Sequence, residues 1–106
     1  MSRTIKLEDI SIRDGAQCLW ATRLATDEIV PIAETMGRAG FDVIDVTGGA
    51  AIDTSIIYLR ENPFDRIRIL RELMPDSRLN FNTRGQSVFR WTQYPDDVAE
   101  LALRVF

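Results

Sequence analysis

Histidine is missing from all 106 residues, and cysteine occurs once, at Cys18. The first absence removes imidazole from any acid–base or metal chemistry within this stretch, because histidine titrates near neutrality and is the commonest metal ligand. The second excludes an internal disulfide and fits a reducing, cytoplasmic setting. Cys18 itself reads as a small buried hydrophobe beside a turn. No run approaches the ~18 apolar residues of a membrane span, and Met1 to Asp9 holds no signal-peptide core, so spanning and secretion are not expected. Positive charge is not in excess either. Thirteen Lys and Arg stand against 16 Asp and Glu, a net charge of -3, which argues against a nucleic-acid partner.

What is present is the composition of a soluble globular protein, 45% hydrophobic and 27% charged. The chain is organised around Ile12-Arg13-Asp14-Gly15-Ala16-Gln17. An alternating run, Leu7 to Ile12, leads into it and reads as a strand over 7–13. A cation, a carboxylate, a glycine and a carboxamide then follow within five positions. Gly15 permits a sharp turn that brings Arg13, Asp14 and Gln17 together above the strand end. In α/β sheets and barrels, ligands sit at that end of the strands. An arginine and a metal-seeking carboxylate there point to a small anionic, oxygen-rich substrate. A bare Arg–Asp pair closing a turn is the plain alternative.

Further along, Thr26 reads as the N-cap of a helix with Asp27 and Glu28 in its first turn. Ile29, Ile32, Ala33 and Met36 form its apolar stripe, with a kink or late start expected at Pro31 and a stop at Gly40. The second strand covers 41–47 and ends in Gly48-Gly49. A short helix is expected within 51–59. Asn62-Pro63 then supplies an N-cap and a first-turn proline for a helix that presents Phe64, Ile67, Leu70 and Met74. The third strand covers 79–84, with Leu79 and Phe81 on one face and Asn80, Asn82 and Arg84 on the other. A loop over 86–94 precedes a last helix from Pro95 through Val105. Strand and helix alternate throughout, which predicts three parallel strands in the order 1-2-3 with helices on one face. The fold class is α/β. Three such units are well under half of a barrel of ~250 residues, so the chain reads as a fragment, three βα units of an incomplete (βα)8 (TIM) barrel, with a complete three-strand sandwich as the alternative.

With these residues placed, the sequence resembles the carboxyltransferase domain of biotin-dependent enzymes, which include pyruvate carboxylase, the oxaloacetate decarboxylase α subunit and transcarboxylase. These belong to the wider hydroxymethylglutaryl-CoA-lyase-like barrel family. Four blocks carry the likeness in register: Arg13-Asp14-Gly15-Ala16-Gln17-Cys18-Leu19-Trp20-Ala21-Thr22-Arg23, Gly48-Gly49-Ala50-Ala51-Ile52-Asp53, Glu61-Asn62-Pro63-Phe64-Asp65-Arg66, and Arg84-Gly85-Gln86. The resemblance implies that 1–106 is the N-terminal fragment of one barrel domain. It implies a divalent metal (Zn, Mn or Co) at the barrel mouth with Asp14 as a ligand, the others lying on later strands. Arg13, Gln17 and Arg84 match positions that bind the 2-oxo acid, and Arg13 and Asp53 match catalytic positions. Asp53 alone also suits an N-cap for 54–59. Biotin would arrive on a separate carrier domain or subunit, and the full-length protein would be a homo-oligomer. The implied reaction is carboxylation of pyruvate or decarboxylation of oxaloacetate. Ala16, Thr47 and Trp91 depart from the family's usual His, Trp and Tyr, which leaves open a biotin-independent lyase or condensing enzyme of the same barrel family, or a non-catalytic barrel subunit.

Overall fold

The computed structural model describes residues 3–82 and 95–105. Its three strands, β1 (Glu8–Asp9), β2 (Val43–Gly48) and β3 (Arg78–Asn82), form one parallel sheet in the order β1-β2-β3. Five α-helices accompany them: α1 (Ala16–Trp20), α2 (Thr26–Gly37), α3 (Gly49–Thr54), α4 (Pro63–Leu73) and α5 (Asp96–Val105). The predicted strand order and direction are therefore met.

β1 is shorter than the alternation over 7–13 implies. The Asp9 carboxylate accepts from the Ser11 backbone N–H at 2.8 Å and from the Ser11 hydroxyl at 3.0 Å. This local turn takes the chain out of the sheet. A π-helical turn over Ser11–Gly15 follows and runs directly into α1. Arg13 thus stands on a helical turn, not on a strand, and Ile12 and Arg13 part company by helical geometry. Ile12 is buried in the core, while Ile10 is exposed.

β2 has two unlike faces. Ile44 and Val46 pack with Ile29 and Ala33 of α2 and with Leu70 and Met74 at the end of α4. Asp45, between them, points to the opposite face and is buried as well, as is Thr47 beyond the irregularity in pairing. One extra residue, Val46, sits in the pairing with β3, between the Asp45–Asn80 and Thr47–Phe81 pairs. β3 alternates as expected over its described length, with Leu79 and Phe81 half-buried and Asn80 and Asn82 exposed.

α4 begins as its sequence dictates. The Asn62 side chain accepts from Phe64 N at 2.9 Å, and Pro63 takes the first helical position, where its missing N–H costs nothing. α2 differs in detail. Its N-cap is Ala25, and Thr26 is the first helical residue, buried. Glu28 supplies the return bond to Ala25 N at 2.9 Å. The helix starts at Thr26 despite Pro31, ends at Gly37, and turns away through Gly40 at φ +89°. Gly37 has a packing reason of its own, since a Cβ there would lie 2.9 Å from the Leu73 carbonyl oxygen. α2 and α4 touch through that gap. α5 buries only Ala102, while Val98 and Leu101 remain exposed. No helix among the described residues is long and apolar enough to cross a membrane.

Candidate functional site

The turn that follows β1, the middle of β2 and the carboxyl end of β3 build one polar cluster. Asp45, 1% exposed, is its base. Its Oδ2 accepts from Arg13 Nε at 2.7 Å and from Asn82 Nδ2 at 2.5 Å. Its Oδ1 is buried and has no hydrogen-bond partner among the described residues. A buried carboxylate is costly unless paired, and here Arg13 supplies the opposite charge while Asn82 supplies a second donor. The guanidinium reaches onward: NH1 donates to Gln17 Oε1 at 3.3 Å, and NH2 lies 3.8 Å from Asp14 Oδ1. Arg13 and Gln17 are four apart on the continuous helical path, which puts them on one face.

Arg13, Asp14 and Gln17 are thus brought together, although by a continuous helical path through Gly15 rather than by a sharp turn at a strand end. Arg84, with Trp91, lies outside the described residues. Asp53 lies within α3, half-buried, and is not that helix's N-cap, a place taken by Gly48. It is likewise not the cap of 54–59, because Thr54 and Ser55 already continue the same helical path into a second π-helical turn, Ser55–Leu59. Cys18 is exposed, not buried, and its thiol lies 3.7 Å from Asp14 Oδ2.

Sequence reasoning does not single out Asp45. The available signal is a carboxylate between Ile44 and Val46, in a strand otherwise apolar enough for both faces to be covered. Strand alternation places Asn82 on the polar face of β3 without naming a partner, and Asp45 is that partner.

Beside the cluster is a cavity of about 140 Å³, lined by Arg13, Gln17, Thr22, Gly48, Arg66 and Asn82 among others. Arg66, 4% exposed, is a buried cation that the sequence marks only as the end of a motif. It donates to Thr26 Oγ1 at 2.9 Å, to Leu24 O at 2.9 Å and to Glu61 Oε2 at 3.0 Å. Glu61 also accepts from the Thr26 hydroxyl at 2.7 Å. Burial works to raise the Glu61 pKa, but the hydrogen bonds from Thr26 and Arg66 outweigh it and hold the carboxyl below its ordinary value. At the opposite end of the sheet Asp42 is likewise lowered, chiefly by its hydrogen bond from Arg78.

The metal implied at Asp14 can be tested against these surroundings. The Asp14 side chain is 49% exposed and offers a hard carboxylate donor beside Arg13. Among the described residues no group of three or more His, Cys, Asp or Glu side chains is placed to enclose a cation. Asp14 is thus a suitable hard donor but does not by itself enclose a cation.

No family model matches the chain. Relatives and solved structures do. A pyruvate carboxylase subunit of Methanocaldococcus jannaschii is 41% identical over 96 residues, which cover 91% of this chain and 17% of that protein. The 2-oxoglutarate carboxylase large subunit of Hydrogenobacter thermophilus is 41% identical over 86 residues, covering 81% of this chain and 13% of its own length. The carboxyl transferase domain of Rhizobium etli pyruvate carboxylase, solved with pyruvate, superposes with a TM-score of 0.84 at 34% identity, covering 98% of this chain and 18% of that structure. The chain thus spans under a fifth of the length of each of these three proteins. These relatives are enzymes. In sequence and in fold, the chain is a homologue of part of the carboxyltransferase domain of pyruvate carboxylase-like enzymes.

Proposed function

We propose that residues 1–106 form the N-terminal part of a (βα)8 carboxyltransferase barrel and carry the part of its mouth that receives a 2-oxo acid. The observation that supports this reading is the chain of contacts from Asn82 through Asp45 and Arg13 to Gln17. Asp45 occupies the Nε edge of Arg13 and so fixes the plane of the guanidinium. NH1 and NH2 stay beyond that contact, beside Gln17 and Asp14, in a residue that lines the cavity, and a fork of two donors suits a carboxylate. Gln17 spends its carbonyl oxygen on Arg13, which leaves its NH2 group as the donor for the ligand's carbonyl oxygen. That oxygen gains negative charge if the acid becomes an enolate, and a fixed donor stabilises the developing charge without reorganising.

Asp14 is proposed as one ligand of a divalent cation (Zn, Mn or Co), whose chemistry is polarisation of that same carbonyl. Arg84 is proposed as a second cation for the carboxylate, and Asp53, with Arg13, as a participant in proton and carboxyl transfer. The carboxyl group would come from, or return to, biotin on a carrier domain. A homo-oligomeric, cytoplasmic full-length enzyme completes the reading. The acid is pyruvate or a longer 2-oxo acid, since relatives at equal identity are named for pyruvate and for 2-oxoglutarate.

The test is calorimetric binding of pyruvate and of 2-oxoglutarate to the full-length polypeptide that carries this chain, with Arg13→Gln and Gln17→Leu beside the parent. The parent is expected to bind one acid, and both variants to lose at least about tenfold in affinity, the scale of one or two charge-assisted hydrogen bonds. Equal affinity in parent and variants overturns the proposal.

A further inference from the structure

The segment between α1 and α2 is held in a backbone conformation that its residues do not favour. Ala21 and Thr22 have φ of 48° and 61°. Residues with a Cβ seldom adopt such left-handed values, and two in succession persist only where the surroundings over-determine them. Three pins do so here. The Thr22 hydroxyl donates to Ala21 O at 2.5 Å, so its 2.7 Å contact with the Thr54 hydroxyl has Thr54 as the donor. The Arg23 guanidinium lies 3.9 Å from the centroid of the Tyr58 ring. Arg66 donates to Leu24 O at 2.9 Å. All three partners belong to the unit that follows β2.

The other side of the segment closes α1. Thr22 N donates to Ala16 O and Arg23 N to Trp20 O, each at 2.8 Å. α1 is a single short helix that carries Gln17, and Thr22 lines the same cavity as Arg13 and Gln17. Slackening of the segment would therefore release the hold of Thr22 on Ala16, the residue next to Gln17.

We propose that Ala21–Leu24 is a strained strap through which the unit after β2 positions α1, with Thr54 as the residue that holds it. Thr54 acts on the site through Thr22. The inference deepens the 2-oxo acid reading above and rests on it for the identity of the ligand.

The experiment compares Thr54→Val, Thr54→Ser and Arg13→Gln in the full-length protein, with pyruvate as the probe. Amide hydrogen exchange at Thr22 and Arg23 is measured together with KM and kcat. Thr54→Val is expected to speed exchange at both amides and to raise KM about tenfold with kcat little changed, because a small displacement of a positioning group is enough for such a loss. Thr54→Ser keeps the hydroxyl and is expected to restore both. Should Thr54→Val not fold, Tyr58→Leu removes a different pin from an exposed position and is expected to act in the same direction. Parental exchange in both Thr54→Val and Tyr58→Leu overturns the strap, as does faster exchange with parental KM, or a Thr54→Ser variant that rescues nothing. Arg13→Gln with parental KM instead overturns the ligand reading, and the exchange data still decide whether the strap holds α1.

Discussion

The two faces of β2 are separated by one residue and solve burial in opposite ways. Ile44 and Val46 meet Ile29, Ala33, Leu70 and Met74, where apolar area leaves water and nothing needs orienting. Asp45, between them in sequence, is buried just as deeply but only because Arg13 and Asn82 come to it. The first face tolerates rearrangement as long as volume is kept. The second is specific in geometry, since a displaced Arg13 leaves a charge in a place that water does not reach. The difference shows where stability and chemistry divide in this chain. Helices α2 and α4 hold the sheet from one side and leave the other side polar.

The largest expected effect breaks the apolar face. Ile44→Ala in the full-length protein should cost about 2–5 kcal/mol, because the lost methyl groups leave a cavity among close-packed neighbours. Chemical denaturation reads this, and pyruvate affinity of the folded fraction should stay near the parental value. Next comes the polar face. Asp45→Ala should cost roughly 3 kcal/mol, at the lower end for breaking a buried pair because Arg13 keeps some solvent contact. Unlike Ile44→Ala it should also lower 2-oxo acid affinity, since the Arg13 fork loses its anchor. Two variants of similar stability that also bind equally well would erase the distinction between the faces.

A smaller effect is expected at the entry to α4, the helix that covers the apolar face. Asn62→Ala should cost about 1 kcal/mol in a thermal melt, the usual worth of a side-chain cap. The smallest effect concerns pH. The Glu61 pKa is lowered in the folded protein, so its contribution to stability is complete above the ordinary value of 4.5 and fades as pH falls through the folded value. Glu61→Gln should flatten the acid limb of the stability–pH curve and leave the curve near neutrality with no added slope. An unchanged acid limb would mean that the Arg66 and Thr26 contacts of Glu61 are not what lowers it.

Much of this architecture is legible in the order of residues. Strand and helix alternate with spacing that allows only parallel pairing. Asn62-Pro63 opens a helix by local chemistry alone, and Leu70 and Met74 fall on its buried side because helical period leaves no other choice. Arg13, Asp14 and Gln17 are candidates for one site because they lie within one turn of each other. Local rules fail where two adjacent preferences compete. Alternation over Leu7 to Ile12 favours a strand, but the Asp9 side chain captures Ser11 and ends it early. Cys18 is apolar enough for a core and nonetheless lies on the outer side of α1.

What the sequence determined by itself is the set of local choices: which segments after α1 are strands and helices, where α4 starts, which stripe of each helix is apolar, and that polar residues gather after β1. These follow from backbone sterics, capping and periodicity, which act within a few residues. Only the tertiary structure decided that Asp45 anchors Arg13 from 32 residues away, that Asn82 completes the pair, and that Thr54 and Arg66 hold the segment after α1. Those contacts join residues far apart in the chain. Their partners become neighbours only when the parallel pairing of β1, β2 and β3 sets their carboxyl ends side by side.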